Sequence, residues 1–422
     1  MEKTPDRVGP LDASFVAPPS KSYSHRAIIA AALADGRSVI RDPLYAKDTD
    51  VTVSALQALG AVISWGKNSI TVEGTGGALH ADEGLVLDMG DSGTSLRLCT
   101  TLALLAGSPV VVTGSARMQE RPVGPLVKAL NAIGGRVQFL GRDGFPPVRV
   151  AGSLQGGHAS VDASVSSQFV SSLLLAAPYG AHDTTITIPA APVSRTYLDI
   201  TTDLMTSFGV QVASHQYHEY SVRAGQHYLA REYAIEGDYS SASYFFALAA
   251  VCGGRVEVKN LRPDSLQGDR QFLDFLARMG CQVSEKGRSI VVERVRPLTG
   301  TTADMSSCPD TVQTLAVVAA CAKTPSVITG IAHLRHKESD RIAAIATHLN
   351  KMGGSVAVED DTLTIQPRPL NGTVVDPARD HRTAMSFAVL GLSIGGVTIT
   401  GAECVDKSFP GFWEALSGVS AP

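Results

Sequence analysis

A pattern that returns every seventy-odd residues governs what this 422-residue chain can become. Six times, a cluster of small polar or charged residues runs into an apolar stretch of helical character. These stretches end near Gly36, Gly107, Gly180, Gly253, Lys323 and Gly395, at steps of 71, 73, 73, 70 and 72 residues. Between them a second motif recurs, an amphipathic run closing on glycine, in LQALGAVI, LNAIGGRV, LMTSFGVQV, LARMGCQV and LNKMGGSV, with the degenerate copy FWEALSG at the end. Leu130 with Ile133, Met205 with Phe208, Leu276 with Met279 and Leu349 with Met352 fall three apart, which puts each pair on one helical face. Short alternating runs such as SITVEG, SIVVERV and TLTIQP supply strands. Six α/β units of about seventy residues follow, a period that favours globular units packed together over a thin solenoid.

A chain of this length fits two or three domains, each able to bury a substantial core. Its net charge of -4 includes no basic tail that would track a nucleic-acid backbone. Cys99, Cys252, Cys281, Cys308, Cys321 and Cys404 are scattered without a CxxC pair, which predicts reduced, buried thiols in a cytoplasmic protein. The N-terminal MEKTPDRVGPLDAS has no apolar core of a secretory signal, and no run approaches the roughly twenty apolar residues of a membrane span.

Polar residues concentrate where the six apolar helices begin, in SKSYSHR, GDSGTSLR, VSSQF, GDYSSAS, SSCPDTV and RDHRTAM. Helix N-termini carry free N–H groups and partial positive charge, so they favour phosphate and carboxylate. Simple capping explains many of these residues, Ser240 and Ser241 among them. Capping does not call for Lys21, Arg26, Arg97 and Arg382, because a cation near a helix N-terminus opposes the dipole; an anion between them would reconcile the two. The second motif carries Asp48, Arg121, Ser194, Gln267 and Asp340, each 73 residues after the last. Around them stand Arg117, Arg195, Arg335, Lys337, Arg341 and Lys407. A lone lysine is usually a solvated surface charge; so many cations at corresponding points of a repeat point to polyanionic ligands.

PSKSYSHRA, GDSGTSLRL, RMQERPVGPLV, SSQFVSSLLLAAP, EGDYSSASYF, KESDRI, DHRTAM and KSFP, in that order along nearly the whole chain, resemble the signatures of the 5-enolpyruvylshikimate-3-phosphate synthase family of enolpyruvyl transferases. The resemblance implies an α/β fold of two domains, each of three βαβαββ units about a pseudo-threefold axis. It assigns residues 1–19 and 238–422 to one domain and 20–237 to the other, with reactants in the cleft between them. It implies a cytoplasmic, monomeric enzyme without metal or cofactor, acting in the shikimate pathway of aromatic amino-acid biosynthesis. Such an enzyme passes the enolpyruvyl group of phosphoenolpyruvate to the 5-hydroxyl of shikimate 3-phosphate through a tetrahedral intermediate, and the inhibitor glyphosate would compete with phosphoenolpyruvate.

By that resemblance the acceptor's phosphate would meet Ser166, Ser167, Ser194 and Lys337, and its carboxylate Ser22 and Arg26, with Tyr197 and His333 bordering it. Gln168 would lie between the reactants. Lys21, Arg121, Arg341, Arg382 and Lys407 would surround phosphoenolpyruvate, with Asp91 and the Gly93 backbone close by. Asp310 would contact the attacking hydroxyl, and Glu338 would stand near the methylene carbon. Lys21, Asp310, Glu338 and Lys407 form the catalytic set, since addition and elimination need a proton taken from the hydroxyl and one delivered to carbon and withdrawn again.

Three positions depart from the family pattern: Asp91 and His333 stand where asparagine is common, and Leu98 where proline is common. A carboxylate beside a phosphate is repulsive unless paired, so Asp91 reads as a cap or as a group that orients a cation. Gly93 has two readings, a backbone angle that only glycine tolerates or a close approach to the ligand. His25, His336 and His381 adjoin site residues without metal-ligand spacing. Two other functions share parts of this pattern. A UDP-N-acetylglucosamine enolpyruvyl transferase would carry a cysteine five residues before Arg121, where this chain has Ala116. A silent sugar-acid-phosphate binding protein would lack one of Lys21, Asp310, Glu338, Arg382 and Lys407, and all five are present.

Overall fold

The computed structural model describes residues 1–419. The chain forms two compact units, Met1–Pro18 with the chain from Glu236 onward, and Pro19–Ile235. Each has its own apolar core.

The repeat is visible as one sheet motif used again and again. Among the described residues there are five four-stranded sheets and one two-stranded sheet. Each four-stranded sheet has a parallel pair at one edge and antiparallel pairing beyond it. Val86–Asp88, for example, runs parallel to Val110–Thr113, which pairs antiparallel with Val148–Gly152, and that strand with Gly135–Phe139. Strands such as Val110–Thr113, Thr184–Thr187 and Ser326–Thr329 alternate buried and half-buried residues, as expected of a sheet with one face on a core. Parallel pairing also explains why the chain start belongs with the second half: Leu11–Val16 lies beside Gly254–Lys259, Leu11 opposite Gly254. In the other unit Glu232–Ala234 pairs with Arg37–Arg41 and completes the sheet of the first repeat. The repeat glycines Gly60, Gly134, Gly209, Gly280 and Gly353 all have φ between +90° and +117°, the left-handed conformation that ends a helix and favours glycine.

The helices that follow the polar openings form the interior. Every residue of Tyr239–Cys252 is buried, as are Val312–Ala320 and nearly all of His381–Ile394, and the three pack pairwise. Small residues such as Ala242, Ala249, Ala316 and Ala388 let them approach, so these helices are apolar on every side. The polar exceptions meet one another across the repeat. Ser243 donates to Thr314 at 3.2 Å, Thr314 lies 3.3 Å from Ser386, and Gln313 donates to Thr383 at 2.5 Å, pairs 71, 72 and 70 residues apart. In Pro19–Ile235, Arg97 and Gln168 are likewise 71 residues apart and bonded at 3.0 Å. Each such bond contributes about 1 kcal/mol net, and each fixes the register of one helix against the next, because a slip would leave a buried polar group unmet.

Candidate active site

The Pro19–Ile235 unit gathers its polar residues at the N-terminal ends of Lys21–Leu33, Gly93–Leu102 and Gln168–Ala176. Ser20 and Ser92 cap the first two, accepting from the backbone N–H of Tyr23 and Ser95. Ser167 precedes the third without a side-chain cap bond. The Lys21 ammonium lies 3.1 Å from Asp48, whose side chain is 5% exposed. Behind it a buried hydroxyl chain runs from His25 Nδ1 to Thr52 (2.7 Å), to Ser95 (2.7 Å) and to Ser92 (2.7 Å), with Ser95 also donating to the Asp48 carbonyl. The chain therefore ties the start of the Gly93 helix to the residue that holds Lys21.

Arg26 is 1% exposed and is held by neutral groups alone: Thr201 Oγ1, the Ser22 and Tyr197 carbonyls, and Ser171 Oγ. Burial pulls its pKa down to about 10, with Tyr197 and Tyr23 opposing. No carboxylate pairs with it among the described residues, so an incoming anion would relieve an uncompensated buried charge. Ser194 takes φ +54° and buries its hydroxyl with no hydrogen-bond partner among the described residues; its carbonyl accepts from the Tyr197 N–H. Arg97 donates to the Gly93 carbonyl (3.2 Å) and to Gln168 Oε1 (3.0 Å), Gln168 donates to Thr94 (3.0 Å), and the Gln168 N–H meets Ser166 Oγ (3.3 Å). Gly93 is not in the left-handed region, so the backbone-angle reading fails. A methyl group built there would stand 2.5 Å from Nη1 of Arg121 and 2.8 Å from Nη1 of Arg97. Glycine thus leaves room for two guanidinium groups.

In the other unit the opening of His381–Ile394 and the segment Lys337–Arg341 build an ion-pair network. Arg341, 1% exposed, donates through Nε to Asp380 (2.9 Å), through Nη1 to Asp310 (3.1 Å) and through Nη2 to Glu338 (2.8 Å). Burial alone would lower its pKa; the three carboxylates outweigh that and raise it, so the guanidinium stays charged. Arg382 donates to Asp310 Oδ2 at 2.7 Å and to its carbonyl at 3.1 Å. Lys407 lies 3.5 Å from the other Glu338 oxygen. Asp380 caps its helix by accepting from the Arg382 N–H and also accepts from Ser339. His333 is buried beside Lys337; burial first, then that positive neighbour, drives its pKa down to about 3, so it is neutral at physiological pH.

Several sequence expectations change here. The cap of Gly93–Leu102 is Ser92, whereas Asp91 accepts from the Ser115 hydroxyl, because Asp91 lies one residue too early to reach the helix amides. Ser240 and Ser241 sit inside Tyr239–Cys252; the cap is Asp238, and Ser240 instead donates to Asp269. Sequence reasoning marked Arg97 only as one of the cations that imply an anion, and left Asp48, Asp269 and Asp380 without site roles. Their signal was positional, since all four belong to the helix openings or the second motif. Among the described residues no group of His, Cys, Asp and Glu could hold a metal ion.

Comparison with known proteins decides what this arrangement belongs to. Residues 5–416 match the family model for EPSP synthase (3-phosphoshikimate 1-carboxyvinyltransferase). The chain belongs to this family. It is similar to the 3-phosphoshikimate 1-carboxyvinyltransferase of Methanoculleus marisnigri, 56% identical over 412 residues covering 98% of each chain. That of Escherichia coli is 39% identical over 416 residues, covering 98% of this chain and 97% of the other. The fold superposes on an EPSP synthase structure from Acinetobacter baumannii with a TM-score of 0.83 at 28% identity, covering 99% and 98% of the two chains. Membership makes the protein a transferase of aromatic amino-acid biosynthesis, in a family that uses phosphoenolpyruvate and shikimate 3-phosphate. The two-domain α/β fold of six repeats agrees with the expectation from sequence.

Proposed function

We propose that this chain carries out the family reaction, transfer of the enolpyruvyl group from phosphoenolpyruvate to the 5-hydroxyl of shikimate 3-phosphate. The family match over residues 5–416 carries this reading, and the charged groups described above support it. Arg26 and Ser22 receive the acceptor's carboxylate; Ser166, Ser167, Ser194 and Lys337 its phosphate; Tyr197 and His333 border it. Lys21, Arg121, Arg341, Arg382 and Lys407 hold the donor, with Asp91 and Gly93 beside it and Gln168 between the reactants.

Asp310 takes the proton from the 5-hydroxyl as its oxygen bonds to C2 of the donor. Glu338, beside Lys407, delivers a proton to C3, and a tetrahedral ketal phosphate forms. A proton is then withdrawn from the C3 methyl group as the C2–phosphate bond breaks, which restores the enol ether and releases inorganic phosphate. Lys21 and Lys407 offset the charge of two polyanions and complete the catalytic set. His333, kept neutral by burial and Lys337, offers the acceptor a hydrogen bond without titrating. The scattered free cysteines and the lack, among the described residues, of any helix long and apolar enough to cross a membrane support a cytoplasmic enzyme, which we read as a monomer.

Phosphate release measured with phosphoenolpyruvate and each acceptor separately tests the reading. Release with shikimate 3-phosphate alone is expected; release with UDP-N-acetylglucosamine instead, or with neither, overturns it.

A further inference from the structure

A second acid stands near Asp310 and has no part in the chemistry above. Asp269 lies in the turn Gly268–Gln271 and is 4% exposed. One of its oxygens accepts the Ser240 hydroxyl; the other has no hydrogen-bond partner among the described residues. Burial with an unmet oxygen costs a carboxylate far more than it costs a carboxylic acid. The groups that face it come from three elements: Asp238 from the start of Tyr239–Cys252, Cys308 and Asp310 from the turn before Val312–Ala320, and Arg382 from His381–Ile394. Arg270, next to it in its own turn, is engaged with Glu285 at 3.0 Å. Burial first, then Asp310, pushes the Asp269 carboxyl up to about 7, while Arg382 and Ser240 pull the other way.

We propose that Asp269 is a positioning residue for the Arg382–Asp310 pair: as a neutral acid it leaves that pair to the reactants, and once ionised it competes for the Arg382 charge and repels the incoming donor anion. The proposal rests on the enolpyruvyl-transfer reading, in which Arg382 binds donor. It makes donor affinity pH-dependent through a group that touches neither reactant. Because Asp310 is already bonded to Arg382 at 2.7 Å, a further negative charge nearby offsets more of the arginine's positive charge and weakens its pull on an anion.

The test compares native protein with Asp269→Asn, which keeps the shape and cannot ionise. In native protein the KM for phosphoenolpyruvate should rise about tenfold between about pH 6 and about pH 8.5, as one pKa unit of coupling gives. In Asp269→Asn only the donor's own phosphate ionisation, common to both proteins, should remain. An infrared band of a protonated carboxyl, present in native protein near about pH 6, lost by about pH 8 and missing in Asp269→Asn, is the second expected result. Absence of that band in native protein overturns the proposal whatever the turnover, and so does an identical KM profile in both proteins. Lack of any turnover in native protein instead overturns the transfer reading. If Asp269→Asn does not fold, Ser240→Ala serves: loss of a hydroxyl that favours the ionised form must move the loss of the band to higher pH, and an unmoved midpoint overturns the proposal.

Discussion

Gly93→Ala separates packing around a ligand from backbone strain in a single variant. The residue opens Gly93–Leu102 outside the left-handed region, so alanine brings no conformational penalty there. Its methyl carbon would lie 2.5 Å from Nη1 and 2.8 Å from Cζ of Arg121, and 2.8 Å from Nη1 of Arg97, where ordinary contact begins near 3.4 Å. The Arg121 guanidinium must therefore retreat by about 0.9 Å, which the far end of a flexible side chain can do at a cost of about 1 kcal/mol, the low end for overpacking. If Arg121 holds the donor as proposed, a guanidinium displaced by that much loses at least one charge-assisted hydrogen bond to it, worth about 1.5–3 kcal/mol. The KM for phosphoenolpyruvate should rise about 10- to 100-fold with little change in kcat. Glyphosate, longer than the donor, should weaken more, and the melting temperature should fall by no more than about 4 °C. Steady-state kinetics at saturating shikimate 3-phosphate, an inhibition series and a thermal melt cover all three. A stable variant with unaltered KM and inhibition would refute the Arg121 argument; a large fall in melting temperature would show that the packed Arg121 and Arg97 cannot give way to the methyl group, against the small retreat assumed here.

Glu338→Gln keeps a hydrogen bond to Arg341 and loses the proton, so turnover should fall by about three orders of magnitude or more with both substrates still bound; near-native turnover removes Glu338 from proton transfer. Ser166→Ala and Ser167→Ala should raise the KM for shikimate 3-phosphate, each by about tenfold, because in the proposed function they meet a phosphate remote from the reacting carbon; a fall in kcat alone would contradict that role. Asp380→Ala removes a buried partner of Arg341 together with a helix cap, and should lower the unfolding free energy by about 3–5 kcal/mol in denaturant titration; an unchanged midpoint would mean that Asp310 and Glu338 suffice for Arg341. Asp269, with its pKa raised from 3.8 to about 7, favours the folded state fully at low pH and loses that contribution as pH rises through about 7, by at most about 4 kcal/mol. Relative to Asp269→Asn, the denaturant midpoint of native protein should fall as pH rises between 3.8 and about 7; parallel curves would show that Asp269 has the same pKa in the folded and unfolded states, and so that burial does not raise it.

The seventy-residue period, the polar helix openings and the glycine-closed second motif were legible in the sequence because each is a local property: helical spacing, capping chemistry and positive φ act within a few residues of chain. They were enough to lay out six repeats and to single out cations at the helix openings, Lys21, Arg26, Arg97 and Arg382, and around the second motif, Arg121, Arg341 and Lys407 among them; which ligand each would meet came only from the family resemblance. Which carboxylate meets which cation was decided by packing. Arg341 reaches Asp310 across 31 residues and Asp380 across 39, and Arg382 reaches Asp310 across 72. These distances close only when three buried helices stand side by side, with Ser243, Thr314 and Ser386 in register between them. Among the described residues the same packing leaves an oxygen of Asp269 without a hydrogen bond and Arg26 without a counter-charge, and it gives Gly93 a reason, room for two guanidinium groups, that no backbone rule contains. Sequence determines which groups are charged and at what interval they return, whereas burial and pairing depend on neighbours supplied by other repeats and exist only once the helices have docked.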